Sequence, residues 1–130
     1  MPITDFKIHD GLLAVQQTSA GQRLRIALDG EMDLANAETA ASTLREALRS
    51  DKDVVVDLTK LAFLDSTGVA MLLRAMQEGG ERLSFLPSEH DPVRRLLNLT
   101  GLDERMTFAS PVLAAPSPEE AAAEPLLPAA

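Results

Sequence analysis

The segment from Val54 to Met76, VVVDLTKLAFLDSTGVAMLLRAM, limits the fold more than any other part of the chain. Val54, Val55 and Val56 run without polar alternation into Asp57 and Leu58, the pattern of an interior strand covered on both faces or leading into a crossover. After Leu64, Val69, Leu72, Leu73 and Met76 recur at helical offsets up to Gly79 and Gly80, whose glycines can take the left-handed backbone that ends a helix. Asp65 and Ser66 therefore fall at a strand-to-helix junction. This unit predicts a central strand that feeds a helix.

The flanking sequence repeats the alternation of strand and helix. Leu12 to Gln17 and Leu24 to Leu28 bracket Ser19, Ala20 and Gly21, which predicts a β-hairpin. Ala37, Ala40, Ala41, Leu44 and Leu48 follow at helical spacing, so a first helix is expected over Leu34 to Arg49, with Asp33 or Asn36 as its cap. Leu83, Phe85 and Leu86 predict another strand. Asp91 as cap and Pro92 as first helical residue open a helix through Val93, Leu96 and Leu97 that Gly101 closes. Met106 to Phe108 fits a last short strand or a helix. Strand, strand, helix, strand, helix, strand, helix specifies an α/β fold with a mixed sheet, right-handed crossovers and helices packed against it.

The 130 residues, 45% of them apolar, suffice for one core and not for two, so residues 1–110 are expected to form a single domain. From Pro111 to Ala130 the composition shifts to Ala, Pro and Glu and holds five of the eight prolines, which predicts a disordered tail. Leu126 and Leu127 are its only candidates for docking on a partner.

Several function classes fall away. The absence of Cys removes disulfides, a thiol nucleophile and thiolate zinc sites, and suits a reducing compartment. A net charge of -8 opposes nonspecific binding to nucleic acid or anionic lipid and leaves a basic protein partner open. Met1 to Asp10 lacks the basic start and apolar run of a secretory signal. Stretches such as Val69 to Leu73 fall far short of the roughly 20 residues that span a bilayer, so a cytoplasmic domain without membrane insertion is expected. LDSTG has Leu64 where a nucleophile elbow needs Gly, and the two histidines, His9 and His90, stand in no triad order. Asp29, Glu31 and Asp33 alternate onto one strand face as a solvated acidic edge rather than a metal shell. No Walker-type phosphate loop is present. No cofactor, metal site or enzymatic activity is expected.

The junction retains a binding function. A helix start gathers unpaired N–H groups and partial positive charge, so it tolerates an anion such as phosphate on Ser66. Asp65, Ser66 and Thr67 are equally preferred N-cap types, and Gly68 would ease close packing, so spacing alone also fits a plain helix cap.

The segment resembles the signature of STAS domains of the anti-sigma factor antagonist family: a strand ending Asp57, Leu58, then Phe63, Leu64, then Asp65, Ser66, Thr67, Gly68 before an apolar helix. LDGEMDL at Leu28 to Leu34 is similar to the family's Gly-Glu-x-Asp motif, and PVRRLLNLTGL at Pro92 to Leu102 resembles its late helix. The three matches occur in family order and cover about Leu24 to Phe108. The resemblance implies that Ser66 is phosphorylated by an anti-sigma factor that is also a GHKL-type serine kinase. Unphosphorylated, the domain would bind that kinase and free a sigma factor. It also implies a partner-binding surface of Asp33, Asp65, Ser66, Thr67 and Gly68, with a serine phosphatase as a candidate further partner; Thr67 is a chemically possible second acceptor, but the family precedent points to Ser66. Asp33 and Asp65 keep helix capping as an alternative role.

The same fold also serves as an adaptor subunit of membrane transporters and of stressosome or chemotaxis assemblies. Ala70 stands where the family often has glycine, and Glu89 to Asp91 replaces a shorter turn. These departures bear on which partner is recognised.

Overall fold

Arg23 to Met32 alternate Leu24, Ile26, Leu28 and Met32, all buried, with more exposed residues between them, so one face of a long strand is drawn to the core. The structure is a computed structural model that describes residues 5–109. Its strands and helices follow in the order β1 (Phe6–Asp10), β2 (Leu13–Ala20), β3 (Arg23–Met32), α1 (Ala37–Leu48), β4 (Asp53–Asp57), β5 (Leu61–Leu64), α2 (Ser66–Gly79), β6 (Leu83–Leu86) and α3 (Asp91–Leu99). Short 3-10 turns cover Gly80–Arg82 and Leu102–Glu104. The tail expected from Pro111 onward lies outside the described residues.

The sheet is mixed, as the alternation of elements requires. β1, β2 and β3 pair antiparallel, and β4 and β6 continue from β3 in parallel in the order β1-β2-β3-β4-β6. β5 is a second parallel partner of β3, lying beyond the end of β4: Ala27 faces Asp57, and three residues on Gly30 faces Leu61. The ten residues of β3 thus have β2 along one side and β4 followed by β5 along the other. β4 is interior, between β3 and β6, but β3 is the hub. A parallel bridge from Phe85 to Phe108 adds a further segment at the β6 edge, with the Phe85 N–H on the Thr107 carbonyl and the Ala109 N–H on the Phe85 carbonyl, both at 2.8 Å.

α1 and α2 pack on each other and on the sheet, α1 over β2, β3 and β4 and α2 over β5 and β6. The core joins Ile26, Leu28 and Val56 of the sheet to Leu44 of α1 and Leu72 of α2, all at most 1% exposed. Burying such side chains contributes roughly 1.5–3 kcal/mol each and is the main force closing the helices onto the sheet.

The structure departs from the sequence expectation in several places. The hairpin strands run longer than expected and turn at Gly21 and Gln22. α1 starts three residues later than Leu34, because Leu34 and Ala35 form an exposed turn held by Asp33. β1 and β5 were not anticipated; the stretch through Phe63 and Leu64, assigned no element from the sequence pattern, is a four-residue strand. α3 has His90 at its cap and Asp91 as first helical residue. Gly101, at φ 76°, follows α3 as expected.

Gly30 marks where β3 changes partners. Its φ of 114° lies where L side chains are strained, and a Cβ there would sit 2.1 Å from the Leu12 carbonyl oxygen. The close approach lets Glu31 N–H donate to that same carbonyl at 2.9 Å while Gly30 N–H donates to Lys60 at 3.1 Å. Gly30→Ala is therefore expected to lower the unfolding free energy by about 3 kcal/mol. Urea titration checks this against Gly21→Ala, which meets only the positive φ because nothing lies within 4 Å of its added Cβ.

Candidate functional site at the start of the second long helix

Met32 and Leu64 are register partners at the ends of β3 and β5, so the next residues, Asp33 and Asp65, leave the sheet side by side. The Asp65 N–H donates to the Met32 carbonyl at 3.3 Å and ties the two exits together. One exit turns into α1 and the other into α2. That topology brings Asp33, Leu34, Asp65, Ser66 and Thr67, distant in sequence, to one end of the molecule.

Asp65 is the N-cap of α2, with extended backbone (φ -103°, ψ -172°) and its Oδ1 accepting from the Gly68 N–H at 3.1 Å. Its carbonyl accepts the Val69 N–H at 3.0 Å. The capping role expected of Asp65 is thus present, and it leaves Ser66 free of capping duty. Ser66 is the first residue of α2 and is exposed, its hydroxyl engaged by nothing among the described residues. The Ser66 and Thr67 N–H groups also have no acceptor there, and the first turn of α2 carries no acidic residue. Unpaired N–H groups of the helix start therefore stand beside the Ser66 hydroxyl, next to the capping Asp65 carboxylate.

Gly68 is buried, and a Cβ on it would lie 3.0 Å from Leu64 Cδ1 and 3.1 Å from Met32 Cε. It lets the first turn of α2 settle onto the strand ends and does not itself form surface. Thr67 is half-buried and opens into a groove of about 220 Å³ between α1 and α2. Leu34, Ala37 and Ala41 form one wall, and Thr67, Ala70 and Arg74 the other. The alanines make the groove, since larger side chains there would fill it. Leu34 is 75% exposed on its rim, and Arg74 has no ion-pair partner among the described residues. Neither Leu34 nor the groove was found from sequence, because an apolar residue beside a cap and small residues on two helix faces are each unremarkable until the helices are placed together.

Asp33 organises the opposite exit. Its Oδ1 accepts from the Ala35 N–H at 3.0 Å, and its carbonyl accepts from the Asn36 and Ala37 N–H groups at 3.1 and 2.9 Å. Asn36 occupies the N-cap position of α1 but makes no side-chain cap, a contribution ordinarily worth about 0.5–2 kcal/mol. Asp29 and Glu31 are exposed on β3, and no acidic or histidine cluster suited to a metal occurs among the described residues.

Below the site, Asp57 secures the turn from β4 to β5. Its carboxylate is 3% exposed; Oδ1 accepts the Thr59 N–H at 2.9 Å, and Oδ2 accepts from Arg25, with Nε at 3.0 Å and Nη2 closer. Burial alone would raise this carboxyl. The Thr59 backbone N–H, the Arg25 guanidinium and the Thr59 hydroxyl together outweigh burial and hold it below the usual carboxylate range.

With this geometry in view, a family model described as Mlab, STAS domain matches residues 15–113, and the chain belongs to the STAS domain family. Solved structures share the fold. An anti-sigma factor antagonist from Mycobacterium paratuberculosis superposes with a TM-score of 0.68 at 20% identity, over 75% of this chain and 86% of that one. The anti-sigma factor antagonist SpoIIAA in its unphosphorylated form gives 0.64 at 24% identity, over 77% and 91%. The Bacillus cell fate determinant SpoIIAA in its phosphorylated form gives 0.57 at 24% identity, over 77% and 95%. No curated protein matches the chain. No helix among the described residues is long and apolar enough to cross a membrane.

Two outcomes follow from the Asp65 cap and the bonds of the Asp57 carboxylate. Asp65→Ala is expected to cost about 1 kcal/mol in urea unfolding, with faster amide exchange confined to the first turn of α2. Asp57 has its folded pKa depressed, so its stabilisation is complete above the unfolded value near 3.9 and is lost as pH falls through the lower folded value. Asp57→Asn should be less stable by about 1–2 kcal/mol at neutral pH, and the gap to wild type should close below about pH 4.

Proposed function

We propose that this protein is an anti-sigma factor antagonist that acts in the cytoplasm by binding rather than catalysis. Unphosphorylated, it engages a GHKL-type anti-sigma serine kinase; phosphorylation of Ser66 ends the complex. The observation that carries the reading is the exposed Ser66 hydroxyl at the first position of α2, released from capping by Asp65. In support, solved neighbours of the same fold include anti-sigma factor antagonists, one of them described in unphosphorylated and phosphorylated forms.

The physics of the switch is asymmetric. A phosphate adds about -1.5 to -2 charges at neutral pH, and the helix start returns roughly 0.3–1 kcal/mol, so the fold accommodates it. A partner seated over Ser66 does not, unless it supplies a matched cation. Burying the charge uncompensated costs several kcal/mol, about a hundredfold or more in affinity. Asp33, Asp65 and Thr67 surround the acceptor as contact residues, and Gly68 contributes by letting the helix start sit low against the sheet. Thr67 is the poorer acceptor because it turns into the groove. A serine phosphatase would reset the switch.

Ser66→Asp should leave the unfolding midpoint nearly unchanged and weaken kinase binding by roughly a hundredfold, measured by calorimetry. Ser66→Ala should bind like wild type and accept no phosphate. A pull-down of tagged wild type and Ser66→Asp supplies the partner: retrieval of a GHKL-type kinase by wild type alone is the expected result. Retrieval of transporter or stressosome subunits by both forms, with Ser66 unmodified, would replace the reading with that of an adaptor.

A further inference from the structure

Asn36 is 1% exposed, and a buried amide is tolerated only when its polar atoms are bonded. Its Oδ1 accepts the Asp33 N–H at 2.9 Å, and its Nδ2 donates to the Glu31 carbonyl at 3.0 Å and the Asp10 carbonyl at 3.3 Å. One side chain thus ties together the end of β1, the end of β3 and the turn that enters α1. Asp10 is held a second time, because the Thr39 hydroxyl of α1 donates to its carboxylate. Asn36 sits at a helix cap position yet does not cap its helix, so its bonding capacity is directed entirely at this junction.

What the junction holds is the turn carrying Asp33 and Leu34. The Asp33 N–H is fixed by Asn36, and Leu34 stands one residue further on, facing Thr67 and Ala70 across the groove. The geometry points to Asn36 as the positioning residue of the partner-facing turn Asp33 to Ala35, touching no partner itself. This rests on the antagonist reading of the Ser66 face and deepens it: the face is assembled from both helix starts, and Asn36 sets the α1 half. Asn36→Asp keeps the shape but turns acceptor oxygens toward two carbonyls, so it disrupts the turn at least as much as Asn36→Ala.

The test uses the full chain and the serine kinase that wild type retrieves. In Asn36→Ala, amide exchange at Asp33 and Ala35 should rise by about tenfold relative to α2 amides, and Kd for the kinase by about tenfold, the effect of one lost hydrogen bond. In steady-state phosphorylation of Ser66, KM should rise with kcat unchanged. Val93→Ala, a buried change in α3, controls for stability: a comparable loss of unfolding free energy should leave exchange at the turn and Kd unaltered. Unchanged exchange at Asp33 in Asn36→Ala, or faster exchange with unchanged Kd, overturns the proposal. If Asn36→Ala does not fold, Leu34→Ala, a surface change, must show the Kd rise, and a normal Kd overturns it. A wild type that binds no serine kinase removes the antagonist reading and the partner half with it, while exchange still decides whether Asn36 positions the turn.

Discussion

The pairing of β3 with β4 and then β5 is the constraint from which the Ser66 face follows. A parallel neighbour that ends at Asp57 and resumes at Leu61 must turn over three residues without losing its place beside β3. The buried Asp57 carboxylate accomplishes this from β4, bonding forward to Thr59 and sideways to Arg25 of β3. The Gly30 approach to Leu12 accommodates the same irregularity from the other side. Because the register is recovered, Met32 and Leu64 end level, and the two chains leave the sheet together. An exposed serine and an acidic turn then share one end of the molecule.

Division of labour among neighbouring polar residues gives the face its chemistry. Asp65 spends its carboxylate on the helix start, and Asp33 spends its own on the α1 turn, so each acidic group expected at the partner surface is also a structural bond. Ser66 has no such obligation. A modification that adds charge therefore meets a fold that does not depend on the modified group, and its effect is passed to whatever lies outside.

Much of this was legible in the residues. The unalternating Val54 to Val56, the helical recurrence after Leu64 and the motif DSTG placed Ser66 at a strand-to-helix junction, and the hairpin showed in the alternation of Leu24, Ile26 and Leu28. What escaped notice did so for physical reasons. β1 lies at the sheet margin with every residue from Phe6 to His9 exposed, so selection for a buried face left no alternation to detect. β5 is four residues long, too short for any period, and exists only because β3 outruns β4. Asn36 was visible as a cap type at a cap position, but its use as a three-way tie depends on carbonyls of Asp10 and Glu31 that only the tertiary fold brings near.

The bridge between Phe85 and Phe108 has a consequence for how the sheet ends. A parallel ladder advances two residues at a time, so its next rung would need the N–H of residue 87 and the one after it that of residue 111. Both are prolines and have none. The bridge beside β6 thus cannot lengthen in that direction, and the chain itself covers part of a margin that would otherwise template strands from other molecules. Among the described residues β1, at the opposite margin, pairs on one side only, as does β5, so a strand from another molecule would find its template there.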